Sequence, residues 1–330
     1  MELKANTEIR VLDSLRAFAA LAVCFFHFVC TTDYFKESDP IFKLFYPGAY
    51  GVQLFFVISG FIIPWSMYRG RFAFRNFFRF MLKRLARLEP PYIFSLLLAA
   101  ALILIRQKMK GSDTSGMEIS MNQFLLHFGY LIPFFENYKW LNQVYWTLAI
   151  EFQYYIFIAL LYIPLMRSPV ILHLLIYAVL LAAGFYHNLY LLPHWLPSFL
   201  MGILLFLFKI NKIKSSEYYI TTLITIGVAL YLNSVYSVMF MITPLIFILY
   251  FERLQIPFLN HTGRYSYSVY LLHTLTGAVF LNLTLKFANT FIMKSLLILV
   301  AVMITLLCSY LTYLIVEKPS KRLSAGISYK

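Results

Sequence analysis

The sequence predicts an all-α polytopic membrane protein with about ten transmembrane helices and both termini on the cytoplasmic side. Hydrophobic residues make up 61% of the 330 residues and charged residues only 13%, a balance far from that of soluble globular domains. The mean hydropathy is +0.73, and the apolar residues fall in runs of roughly 17 to 25, the length that crosses a bilayer. We therefore expect one transmembrane domain over residues 1–330, with the lipid bilayer as its main partner.

The predicted spans follow the apolar runs along the chain. They lie near residues 11–31, 48–67, 89–105, 144–165, 169–187, 195–209, 217–233, 235–251, 266–285 and 292–316. No small-residue cleavage site follows the first run, so we expect it to stay attached rather than act as a signal peptide. The longest connection, 106–143, carries the apolar stretch FLLHFGYLIPFF, which we expect along or partly within the outer interface. The sequence leaves the conformation of residues 112–140 open.

The charge distribution predicts the orientation. The net charge of +14 is compatible with nucleic-acid binding, but ten spans would place 20 of the 28 Lys and Arg residues on one side of the membrane. Because basic loops stay cytoplasmic, that side is predicted to face the cytoplasm, and topology explains the charge without nucleic acid. The densest basic stretch, with seven Lys or Arg residues from Arg69 to Arg87, falls between the second and third spans. We expect a multi-pass protein of the cytoplasmic (inner) membrane.

The cysteines indicate neither a disulfide framework nor a metal site. Cys24, Cys30 and Cys308 lie within apolar segments and form no CxxC or Cys/His cluster. Small apolar packing residues are the simpler interpretation. We expect no metal cofactor.

Ionisable residues inside the first span are the first candidates for a site, because such groups are costly in a membrane unless they face the bundle interior. Asp13 and Arg16 lie near its cytoplasmic end and can pair at i,i+3. His27 follows Arg16 by eleven residues, close to three turns, so the two share one helix face about 16 Å apart. For His27 alone, a hydrogen bond to a neighbouring carbonyl is an equally good interpretation.

The fourth span carries a carboxylate, Glu151, at a depth similar to that of His27. A carboxylate beside an imidazole would fix its tautomer and strengthen it as a general base. The alternative is a structural polar contact between helices. Because a buried carboxylate is far costlier than a hydroxyl, we favour a functional role for Glu151.

Weaker candidates lie in three other stretches. Ser59 in the second span has packing as its more ordinary role, and Tyr270 and His273 lie in the ninth span. The last span ends in VEKPSKRL, a combination also expected of any helix end at the cytoplasmic face.

Taken together, these stretches resemble the acyltransferase-3 family of membrane acyltransferases, in the right order from Leu12 to Leu323. The family patterns are matched by LDSLRAFAALAVCFFH, with its Arg-x10-His spacing, by GVQLFFVISGF, by Arg84 and Arg87 as Arg-x-x-Arg, by WTLAIEFQYY beginning at Trp146, by SYSVYLLH and by EKPSKR. Two positions depart from the usual pattern, because Gln53 stands where many members have an acid and Tyr154 where many have Phe.

The resemblance implies transfer of an acyl group, most often acetyl, from acyl-CoA to a hydroxyl of a cell-envelope glycan such as O-antigen or exopolysaccharide. In this interpretation His27 is the general base, Glu151 orients it, and Arg16 guides the donor inward. Arg84 and Arg87, one face apart at i,i+3, would bind the coenzyme A phosphates. Candidate oxyanion donors are Ser59, Tyr270 and His273.

Several alternatives stay open at this stage. Transfer can be direct or pass through an acyl-histidine. The acceptor can be a cytoplasmic small molecule instead of a glycan. A different class, a transporter or flippase for a lipid-linked glycan, would also need intramembrane charge, but the broken paired helices typical of it are not seen in the sequence. The acceptor hydroxyl, the acyl chain length and the oligomeric state are not predicted.

Overall fold

The computed structural model describes residues 9–110 and 119–329, and within these ranges the regular structure is helical with no strand, as predicted. The helices are α1 (Val11–Cys30), α2 (Pro40–Phe45), α3 (Gly51–Arg69), α4 (Phe77–Lys110), α5 (Met121–Phe128), α6 (Trp146–Arg167), α7 (Val170–Ala183), α8 (Leu192–Lys209), α9 (Ser215–Leu232), α10 (Val235–Tyr250), α11 (Pro257–Gly263), α12 (Ser266–Leu272), α13 (Val279–Thr284), α14 (Phe291–Thr312) and α15 (Lys318–Gly326). Single π-helical turns, Thr274–Ala278 and Tyr313–Glu317, join α12 to α13 and α14 to α15.

Seven helical segments in the described ranges are long and apolar enough to cross a membrane. They are Val11–Cys30, Pro40–Arg69, Phe74–Met109, Trp146–Arg167, Leu192–Lys209, Ser266–Phe287 and Phe291–Gly326. The multi-pass character is therefore confirmed, but the count of ten is not. Helices α7 and α10 occupy predicted spans, yet with 14 and 16 residues they reach only about 21 and 24 Å, short of a hydrocarbon core of about 30 Å. The cytoplasmic placement of the termini stays a prediction.

Helix α4 begins twelve residues earlier than the predicted span 89–105, so most of the basic stretch is helical instead of forming a loop. It also continues through Pro90 and Pro91. Proline has no N–H, so Pro91 leaves the carbonyl of Arg87 without its usual helical donor. The hydroxyl of Ser320 donates to that carbonyl at 3.1 Å, and the hydroxyl of Tyr267 donates to the carbonyl of Leu88 at 3.1 Å. Ser320 thus replaces the missing donor at Arg87, while Tyr267 adds a second bond to the neighbouring carbonyl, so two other helices hold α4 at the diproline.

Helices α3 and α8 pack most closely where two glycines meet backbone. A Cβ atom at Gly60 would overlap the carbonyl oxygen of Phe199, and one at Gly202 would overlap the carbonyl oxygen of Val57. Small residues permit this approach, which gives van der Waals contact in a membrane where lipid is as apolar as the side chains.

The segment after residue 118 is ordered by one histidine and one tyrosine. Residues 111–118, part of the stretch whose conformation the sequence left open, lie outside the described residues. The hydroxyl of Ser120 caps α5. Buried His127 links α5 to the chain just before α6: its Nδ1 lies 2.7 Å from the Gln123 carbonyl, and its Nε2 accepts from the Leu141 N–H at 3.1 Å. Tyr130 then donates to Glu89 of α4 at 2.6 Å. The segment is therefore tied to the bundle, while its predicted interfacial position stays a prediction.

Candidate functional site

A cavity of about 130 Å³ lies inside the bundle between α1, α3, α4, α6 and α12, and α11 and α15 also contribute to its wall. Ser59, Tyr155, Tyr267 and Tyr270 contribute hydroxyl groups to its wall. Its charged wall residues are Asp13, Arg16, Arg84, Arg87, Glu151, Glu317 and Lys321. Four positive and three negative groups therefore face one small space, an arrangement that membranes tolerate only with mutual pairing.

Arg84 is the most deeply buried arginine of the cavity, with 6% of its surface exposed. Its Nη2 donates to the hydroxyl of Ser66 at 2.8 Å. The guanidinium also lies over the rings of Phe80 and Tyr155, at 5.3 and 5.8 Å from their centroids. A planar, weakly hydrated cation suits such a site better than an ammonium would.

Glu151 points into the same cavity and is held by two hydroxyls. Tyr155, one turn further along α6, donates to its Oε1 at 2.5 Å, and Ser59 of α3 donates to the same atom at 3.3 Å. Ser59 thus binds a candidate catalytic carboxylate rather than only packing between helices.

His27 does not lie on the cavity wall, and the predicted contact between His27 and Glu151 is wrong. No hydrogen bond among the described residues joins them; Nδ1 of His27 lies 3.0 Å from the side-chain amide nitrogen of Gln143. The reason is the start of α6 at Trp146. Glu151 is five residues into that helix, about 7.5 Å along its axis, so the residues just before the helix reach His27 instead.

Aromatic packing links His27 to the cavity. The ring of His273 lies 5.1 Å from that of His27 and 5.9 Å from that of Tyr270, which does line the cavity. The hydroxyl of Tyr270 bonds the hydroxyl of Thr147 at 2.8 Å. His273 is fully buried; its Nδ1 lies 3.1 Å from the Val269 carbonyl, whereas its Nε2 has no hydrogen-bond partner in the described part of the chain.

Of the remaining predicted residues, Asp13 and Arg16 line the cavity, whereas Trp146 packs outside it. Asp13 and Arg16 form the expected i,i+3 ion pair, with 3.5 Å between oxygen and nitrogen, and both line the cavity with Arg87. Trp146 does not line it. Its ring packs on that of Trp195, 5.1 Å away, behind the wall that carries Glu151.

Glu317 and Lys321 belong to the cavity although the sequence interpretation treated their segment as a helix end. Glu317 is 1% exposed, accepts from the N–H and the hydroxyl of Ser268 at 3.2 and 2.6 Å, and pairs with Lys321 at 2.7 Å. The i,i+4 spacing of an acid and a base at the end of an apolar run was the available signal. Tyr155 and Tyr267 gave no signal that separates them from interfacial aromatics.

These features define a multi-pass helical membrane protein with a charged cavity inside its bundle. Residues 9–314 match the family profile described as an acyltransferase domain, that of acyltransferase-3. The chain belongs to the acyltransferase-3 family, and the sequence resemblance is thereby confirmed.

One curated relative also matches. It is a protein of Acidianus two-tailed virus, named as a proposed acetyltransferase, and it is 27% identical over 210 residues. The match covers 61% of this chain and 58% of the relative, so the chain spans somewhat more than half of that protein. No solved structure matches the chain.

Proposed function

We propose that the protein is an O-acyltransferase that moves an acyl group, most often acetyl, from acyl-CoA at the cytoplasmic side to a hydroxyl of a cell-envelope glycan. The observation that carries this proposal is the cavity in which Arg16, Arg84 and Arg87 face Glu151 within the bundle. A chain of an acyltransferase family needs a place for an anionic donor, and guanidinium groups bind such donors by charge-assisted hydrogen bonds.

The cavity suits the thioester end of the donor. Arg16, Arg84 and Arg87 supply positive charge near the thioester, and Tyr270 presents a hydroxyl that can donate to the oxyanion formed at the thioester carbonyl. Glu151, held by Ser59 and Tyr155, balances part of the positive charge. It thus acts on the cavity rather than on His27.

His27 is the proposed general base. Its ring is half-buried at the end of α1 opposite Arg16, and Gln143 lies beside Nδ1. If the Gln143 carboxamide turns its oxygen to Nδ1–H, the lone pair of Nε2 is left to accept a proton. The acceptor oxygen would then attack the thioester carbon while Nε2 takes its proton. The C–O bond forms, the C–S bond breaks, and the imidazolium protonates the leaving thiolate.

The separation of the two groups suits substrates that arrive from opposite sides. A cytoplasmic donor would enter at the basic end of the bundle, where α1 begins, and a glycan would approach His27 at the other end. Tyr270 and His273 lie between the cavity and His27. The acyl group would thus meet the acceptor inside the bundle, away from bulk water.

The test compares envelope glycans, by mass spectrometry, from cells that produce the wild-type chain, His27→Ala or His187→Ala. His187 is an exposed histidine in the connection from α7 to α8 and serves as the matched control. We expect glycan acylation with the wild type and the control and at least a hundredfold less with His27→Ala, the scale on which a general base acts, roughly 10²–10⁴.

Equal acylation with all three chains would reject His27 as the base. If acylation instead appeared only on soluble cytoplasmic molecules, the glycan acceptor would be wrong. Labelled acetyl-CoA given to inside-out vesicles would show which pool receives the acyl group.

A further inference from the structure

A second and larger cavity opens at the basic end of the bundle, directly beside the first. Its volume is about 520 Å³, against about 130 Å³ for the inner cavity. The two share Asp13, Arg16 and Ile62 in their walls. We call the larger one the vestibule; the Asp13–Arg16 ion pair stands where it meets the inner cavity.

The vestibule is strongly basic. Besides Arg16, its wall carries Arg10, Arg69 and Arg264, and Asp13 is the acid among its described lining residues. These arginines come from separate elements: Arg10 precedes α1, Arg69 ends α3 and Arg264 follows α11. Their convergence leaves a net charge of +3 on one open concave surface, which favours a ligand with several negative charges.

One of these arginines is already held in place. The side-chain amide of Gln255, oriented so that its oxygen faces Arg10, accepts from Nε at 3.3 Å and from Nη1 at 3.0 Å. A guanidinium positioned in this way loses less side-chain freedom when it binds an anion. Arg69 and Arg264 are exposed at the rim, within reach of a ligand that arrives from solution.

The volumes of the two cavities indicate which part of the donor each cavity can hold. Ligand sites for molecules of nucleotide size measure roughly 300–1,000 Å³, which fits the vestibule but not the inner cavity. Arg84, the residue that the sequence interpretation assigned to coenzyme phosphates, lies in the inner cavity and is 6% exposed. The bulky phosphorylated end of a donor would therefore stop outside it.

We propose that Arg10, Arg69 and Arg264 form the binding site for the phosphorylated nucleotide of the acyl donor. The narrower acyl-bearing arm then passes the Asp13–Arg16 pair and reaches Arg84 and the inner cavity. This inference rests on the proposed function for the identity of the donor. The phosphates would thus bind at three arginines outside the family motifs, and not at Arg84 and Arg87.

The test uses the full chain in nanodiscs and isothermal titration with coenzyme A, adenosine 3′,5′-bisphosphate and pantetheine, which lacks the nucleotide. We expect Arg69→Gln/Arg264→Gln to weaken binding of the first two probes by about tenfold or more, since charge-assisted hydrogen bonds are lost. Pantetheine binding should not change. Arg75→Gln, at an exposed arginine outside both cavities, is the matched control and should bind all probes like the wild type.

Two results would contradict nucleotide binding in the vestibule. One is that the wild-type protein does not bind adenosine 3′,5′-bisphosphate; the other is that the double variant and Arg75→Gln bind it with equal affinity. A double variant that loses pantetheine binding as well would be misfolded. In that case Arg69→Lys/Arg264→Lys, which keeps the charge, should restore coenzyme A binding. If binding is not restored, the result counts against the site. The proposed function has a separate readout. If the wild type binds the nucleotide through these arginines yet transfers no acyl group from acetyl-CoA, the vestibule stands and the enzymatic proposal fails.

Discussion

Charged side chains in this bundle are stabilised by close partners, and the C-terminal part supplies the most buried example. Glu317 is 1% exposed and binds Lys321 together with the N–H and hydroxyl of Ser268. Lys209, 2% exposed, pairs likewise with Glu252 at 3.4 Å. Breaking such a pair leaves an uncompensated charge away from water.

We expect Glu317→Gln to destabilise the protein by about 1–3 kcal/mol, the cost of a lost charged hydrogen bond when the remaining partner, Lys321, is partly exposed. The amide can still accept from Ser268, but Lys321 loses its counter-charge. Thermal unfolding of the purified protein in detergent measures the effect.

Two further variants show whether the change in unfolding midpoint comes from the loss of the ion pair. Glu136→Gln, at an exposed carboxylate, should leave the unfolding midpoint unchanged. Glu317→Gln/Lys321→Gln should recover part of the loss, because neither charge is then left alone. A double variant no more stable than Glu317→Gln would show that the unpaired charge of Lys321 is not the cause of the loss.

At this scale the sequence predicted which residues are costly in a membrane but not which of them meet. Spacing along α1 correctly placed Asp13 beside Arg16, because i,i+3 contacts depend on one helix alone. The contact of His27 with Glu151 was wrong because it depends on how far α6 extends and how it is set against α1. No single-helix pattern contains that information.

At the scale of helices, the contact of α3 with α8 depends on two missing side chains. Adding a methyl group at Gly202 would press on the carbonyl of Val57 and the amide of Phe61. Since α3 also carries Ser59, which binds Glu151, a shift of α3 would reach the cavity.

We expect Gly202→Ala to destabilise the protein by about 1–3 kcal/mol, as overpacking does in a close-packed interior, and to lower acyl transfer as well. Gly227→Ala is the matched control, because a Cβ atom there meets nothing within 4 Å; in α9 it should be neutral or stabilising by up to about 1 kcal/mol. Unfolding midpoints in detergent compare the two. Equal midpoints would show that α3 and α8 can separate without cost.

The helices themselves were largely predictable, because apolar runs are a strong signal. The early part of α4 was not, since its four basic residues continue a basic stretch that has the composition of a cytoplasmic loop. Tertiary contacts stabilise α4 at the diproline: Ser320 bonds the carbonyl of Arg87, which Pro91 leaves without a donor, and Tyr267 also bonds the carbonyl of Leu88. Both donors lie more than 170 residues away in the chain.

For the whole molecule, the main asymmetry is in basic residues, because the predicted topology places 20 of the 28 Lys and Arg residues at one end of the bundle and 8 at the other. The vestibule, the start of α1 and the C-terminal helix α15 all belong to the basic end. Because basic loops are retained in the cytoplasm, this end is predicted to face inward, the side that holds soluble acyl donors.

Cysteine labelling tests this orientation. In a chain with Cys24, Cys30 and Cys308 replaced by Ala, we expect a membrane-impermeant maleimide to label Lys36→Cys on intact cells but not Arg75→Cys. Both positions are exposed, so access alone decides the result, and permeabilised cells should label both. Labelling of Arg75→Cys on intact cells would show the opposite orientation. The vestibule would then face the outer side, out of reach of a cytoplasmic donor.

The diproline in α4 also determines how the cavity can deform. At Pro91 the helix lacks an internal hydrogen bond, so bending there costs less than elsewhere along α4. Ser320 and Tyr267 hold this point from α15 and α12, and α4, α12 and α15 all contribute to the cavity wall. A change in the bend would therefore move three walls in concert and alter the width of the cavity without unfolding any helix.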